Sequence, residues 1–105
     1  MRRRFVIAAE PLTAEQEAKL RDYIGKLGAW WHWIANFWLL TIREDTAAHA
    51  DASAEKIRDF IYELNPKAKI VVFEFPEDIT WAASGTLNSK GKRLSDWLKE
   101  PWGSD

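Results

Sequence analysis

The chain has 105 residues, 47% of them hydrophobic and 30% charged, and a formal net charge of -1. That length supports one domain with one core, and the apolar content excludes a disordered chain. The absence of cysteine excludes disulfides, thiolate metal sites and cysteine nucleophiles, and a charge near zero gives no global field to draw in long nucleic acid.

Arg2, Arg3 and Arg4 precede a short strand, Phe5–Ala9, that reads as central because both of its faces are apolar. Paired across two copies, these arginines would offer a basic arm to phosphates, and equally they would serve as an exposed arm that blunts aggregation. The apolar run before Glu10 and Pro11 is too short for a signal peptide, and with the absent cysteines it suits a cytoplasmic protein. Thr13, with Gln16 three residues later, makes a capping box that opens a helix running to about Leu27. Leu20, Tyr23, Ile24 and Leu27 form its apolar stripe, and Gly28 stands where a left-handed terminator is expected.

Ala29 to Ile42 holds four of the seven tryptophans in fourteen charge-free residues, too few to cross a bilayer as a helix. Aromatic and β-branched content favours two strands, Trp30–Ile34 and Phe37–Ile42, joined by a tight reversal at Ala35 and Asn36. Residues 43–52 read as a solvent-facing connection. Ser53 or Asp51 caps a second helix, Ala54–Leu64, whose buried stripe is Ile57, Phe60, Ile61 and Leu64. The fourth strand is Lys69–Phe75.

This order is the split βαβ arrangement: an α+β, ferredoxin-like domain with antiparallel strand order 4-1-3-2 and two helices on one face. Its core spans 4–75, with a loop and short helix over 76–105. The third strand is apolar in both phases, which leaves one face to be covered by the C-terminal tail, by a second copy, or by both, and a second copy is the preferred reading. Trp30, Trp38, Leu40 and Ile42 are the expected interface of a homodimer.

Ser84, Thr86, Asn88, Ser89, Lys90, Lys92 and Arg93 form a polar, glycine-bearing loop whose hydroxyl, ammonium and backbone N–H groups suit an enclosed phosphate. Trp31 or Trp81 would stack on a base. His32 can shuttle protons but stands among tryptophans, and His49 has no companion at metal-ligand spacing.

Leu27-Gly28-Ala29-Trp30-Trp31-His32, followed by Asn36-Phe37-Trp38-Leu39-Leu40, resembles the corresponding block of small Cas2-like proteins, often labelled SinR-family. These are related to the CRISPR adaptation protein Cas2 and to VapD-type endoribonucleases. The resemblance implies a ferredoxin-like homodimer packed sheet against sheet. It also implies a phosphodiesterase whose divalent ion is held by an aspartate at the end of the first strand. This chain departs there, with Ala8-Ala9-Glu10-Pro11 in place of the usual serine or small residue, tyrosine, aspartate and leucine. The expectation is therefore a cofactor-free homodimer that binds, or binds and sequesters, a nucleotide, a small cyclic oligonucleotide or short RNA or DNA in bacterial or phage defence. One alternative is a magnesium- or manganese-dependent ribonuclease using Glu10 and His32. Another is a protein-binding inhibitor or assembly factor.

Overall fold

Phe5, Ile7 and Ala9 alternate along the first strand with Arg4, Val6 and Ala8, so each set faces one side of the sheet. In the computed structural model, which describes residues 2–75, that strand, β1 (Arg3–Glu10), lies between two antiparallel partners. β3 (Phe37–Ile42) flanks it on one side and β4 (Lys69–Phe75) on the other, and β2 (Ala29–Ile34) pairs with β3 at the far edge. The order β2-β3-β1-β4 is the expected 4-1-3-2 read from the opposite edge. The domain is α+β with helices on one face of the sheet, the ferredoxin-like βαββαβ arrangement. The loop and helix expected over 76–105 lie outside the described residues.

The first helix, α1 (Ala14–Leu27), starts as its sequence requires. The Gln16 N–H donates to Thr13 Oγ1 at 3.1 Å, and the Thr13 N–H donates back to Gln16 Oε1 at 2.9 Å. Residues 43–52 are not all irregular. A short helix, α2 (Ala47–Asp51), forms there and leads to α3 (Ala54–Leu64), whose N-cap Ser53 accepts the Lys56 N–H at 3.0 Å. Leu20 and Ile24 of α1 and Ile57 and Ile61 of α3 are fully buried against Phe5, Ile7, Trp38, Leu40 and Ile42. Tyr23 and Phe60 stack between the two helices with ring centroids 4.1 Å apart, and burial pushes the Tyr23 phenol pKa up.

Arg3 braces α2 against the sheet. Its Nη1 donates to the carbonyls of His49 and Ala52, and its Nε and Nη2 grip both oxygens of Glu74 on β4 at 2.7 and 2.8 Å. The Glu74 hydrogen bond and charge hold the guanidinium pKa above its ordinary range despite partial burial. Arg3 is thus committed within the fold, and Arg4, 1% exposed, is buried. The arm expected to reach phosphates is largely built into the domain.

Gly28 departs from the sequence expectation. Its φ of -179° is extended backbone, not the left-handed region. Glycine is needed there for closeness, because an added Cβ would stand 2.1 Å from the Thr41 carbonyl oxygen. Gly25 has no such constraint: the nearest atom to its added Cβ is Trp30 Nε1, a side-chain atom at 3.4 Å. The two substitutions should therefore act in opposite directions in urea denaturation. Gly25→Ala should stabilise by about 0.5–1 kcal/mol through helix propensity. Gly28→Ala should destabilise by about 1–3 kcal/mol, since backbone must shift to relieve the clash.

Candidate functional site

The phase of the hairpin strands decides which residues any ligand or partner can reach. Pairing of Phe5 with Leu40 and Ile7 with Trp38 puts Trp38, Leu40 and Ile42 on the helix side, each 0% exposed. Trp30 packs against the same core. Of these four residues expected at a dimer interface, Trp38, Leu40 and Ile42 are the domain's own interior and Trp30 is half-buried against it. A strand apolar in both phases does not reveal its phase; the register with β1 does.

The helix-free face carries the other phase: Arg4, Val6 and Ala8 of β1, Phe37, Leu39 and Thr41 of β3, and Val71, Phe73 and Phe75 of β4. It is unevenly exposed. Arg4, Thr41 and Leu39 are buried, as is Trp31, which pairs with Leu39 and is only 1% exposed. Trp31 is therefore closed to base stacking. Toward β4 and the hairpin tip, Val71, Phe73 and Ile34 are about half exposed, and Phe73 and Phe75 stack with centroids 5.9 Å apart.

His32 lies on the helix side. Its Nδ1–H donates to the Phe37 carbonyl at 2.8 Å, its ring stacks on Trp38 at 4.1 Å, and Nε2 stands 3.4 Å from Glu17 Oε1 of α1. Glu10 follows Arg4, Val6 and Ala8 on the opposite face. The pair expected in a ribonuclease is separated by the sheet, and His32 acts as a clasp between β2, β3 and α1.

Glu10 does have neighbours that sequence reading missed. The antiparallel register sets Lys69, the first residue of β4, directly across from it. The hairpin turn brings Asn36, in the left-handed region at φ 63°, alongside; its Nδ2 donates to Glu10 Oε2 at 3.3 Å, and its carbonyl accepts the Ala9 N–H at 3.0 Å. Asparagine tolerates that backbone better than most residues. The three polar groups border a depression of 320 Å³ lined also by Pro11 and Leu12, and they also line a second of 240 Å³ beside Ala8, Ala9 and Val71. The small side chain of Ala8 leaves that space. Among the described residues, Lys69 has no ion-pair partner, and Glu10 accepts a side-chain hydrogen bond from Asn36 alone.

This donor set does not suit a divalent metal. No group of three or more His, Asp or Glu side chains converges among the described residues, and the cross-strand neighbour of Glu10 is an ammonium. Magnesium needs closely placed oxygen ligands, and a facing cation opposes it. Trp81, Ser84, Thr86, Asn88, Ser89, Lys90, Lys92 and Arg93 lie outside the described residues. No described helix is long and apolar enough to cross a membrane.

Compared with protein-family models, curated proteins and solved structures, the chain matches none at a significant level.

If Glu10 stands alone as a carboxylate, millimolar Mn²⁺ should leave the amide NMR signals of Glu10, Asn36 and Lys69 unbroadened. Selective broadening of those three would restore a metal site there.

Proposed function

We propose that this chain is a non-catalytic, Cas2-like homodimer of the cytoplasm that binds a nucleotide or small cyclic oligonucleotide. The observation that supports this reading is the exposed apolar β4 edge of the helix-free face, where Val71 lines the Glu10–Asn36–Lys69 depression and Phe73 lies two residues further along the strand. Exposed apolar side chains grouped on one sheet face favour association. A second copy related by a two-fold axis would cover the patch with the same patch, the self-complementary contact that closed dimers use. The two depressions would then lie at the rim of one interface, and concave sites with few polar groups are the usual homes of small ligands.

Retention of a ligand without turnover is the reading that the groups available support. Glu10 is the one carboxylate that lines either depression among the described residues, and His32 is engaged on the other face. A nucleotide would meet a carboxylate, an amide and an ammonium, groups that recognise its polar atoms. Sequestration of a signalling nucleotide in bacterial or phage defence is the role consistent with such a binder.

Sedimentation velocity should give a dimer at micromolar concentration, converted to monomer by Phe73→Lys with the circular dichroism spectrum unchanged. Calorimetry with mononucleotides and cyclic dinucleotides should give saturable binding, with no product detected after incubation with magnesium or manganese. A wild-type monomer would overturn the dimer. Metal-dependent cleavage lost in Glu10→Ala would establish the ribonuclease, and absence of any nucleotide binding would favour the protein-binding alternative.

A further inference from the structure

We infer that the Glu10–Asn36–Lys69 depression selects guanine over the other bases. The inference rests on the nucleotide-binding reading and concerns which base enters. Glu10 and Lys69 oppose each other on neighbouring strands, yet no ion pair joins them. The depression they border reaches 320 Å³, at the small end of the roughly 300–1,000 Å³ typical of ligand pockets. Its edge thus presents a carboxylate, which only accepts, and an ammonium, which only donates.

The bases differ in what they offer to such a pair. The Watson–Crick edge of guanine runs N2–H, N1–H, O6: two adjacent donors followed by an acceptor. A carboxylate takes the two donors together, and an ammonium takes the O6. Adenine presents a lone pair at N1 where guanine has N–H, so it would face Glu10 with an acceptor. Cytosine and uracil each offer only one donor on that edge. The hydrogen bond from Asn36 Nδ2 engages Glu10 Oε2 at 3.3 Å and leaves further lone pairs on both carboxylate oxygens. The same bond steadies the carboxylate, and the backbone bond between Ala9 and Asn36 anchors the turn that supplies the amide. Ala8, Pro11, Leu12 and Val71 give the base an apolar surface to lie on.

The test is calorimetry on the full chain with GMP, IMP and AMP, read alongside amide chemical shifts. GMP should bind about ten- to a hundredfold tighter than AMP, the discrimination of one good bidentate contact. IMP, which keeps N1–H and O6 but lacks the 2-amino group, should fall between them. Glu10→Gln, an exposed substitution, should abolish the preference, because its amide donates where N1–H also donates. Lys69→Met should weaken GMP and IMP alike. Shifts should concentrate at Glu10, Asn36 and Lys69. Equal affinity for GMP and AMP, a preference that survives Glu10→Gln, or shifts confined to other residues would overturn guanine selection while leaving nucleotide binding intact. Failure of all three nucleotides to bind would overturn the binding reading and this inference together.

Discussion

A central strand with a partner on each side has no freedom in how its side chains divide, and β1 is that strand. Once Phe5, Ile7 and Ala9 turn toward the helices, hydrogen-bonded register places Leu40 and Trp38 beside them on β3 and Val72 and Ile70 beside them on β4. The same alternation sends Arg4, Val6, Ala8 and Glu10 to the opposite side. Both the core and the candidate site are consequences of that division. A slip of one residue would put the carboxylate under the helices and Ile7 in solvent.

The fold was largely legible because its signals are local. The Thr13–Gln16 capping box, the Ser53 cap, the helical spacing of Leu20 and Ile24 and of Ile57 and Ile61, and the break at Ala35 and Asn36 each mark an element within a few residues. What was misread depends on distant partners. β3 is apolar at every other position in either phase, so nothing within it distinguishes Leu40 from Leu39. Only pairing with β1 does. Gly28 was assigned the usual reason for glycine after a helix, whereas the real constraint is the Thr41 carbonyl thirteen positions onward, beyond the reach of a local pattern.

The site was legible only in part for the same reason. Glu10 stood out as the lone carboxylate at the end of a strand. Asn36 looked like a turn residue and Lys69 like the beginning of another strand, and each is that as well. Their convergence comes from antiparallel pairing, which returns residues 26 and 59 positions away to the end of β1. The charge pattern offered a usable hint: both Glu10 and Lys69 are charged residues at the boundary of an apolar strand, and strand order 4-1-3-2 makes those two boundaries neighbours. His32 shows the converse. Its chemistry drew attention, while its surroundings, the Phe37 carbonyl, the Trp38 ring and Glu17, assign it to holding the hairpin.

That clasp has a bearing on how tightly a small molecule can be held. Only Gly28 separates α1 from β2, the hairpin is fastened to α1 through His32, and its turn is bonded to the end of β1 through Asn36. The loop that contributes the amide therefore has little slack to lose when a guest arrives. Rigid receptors surrender less disorder on complexation, so a guest in this recess would lose less of its affinity to ordering the loop.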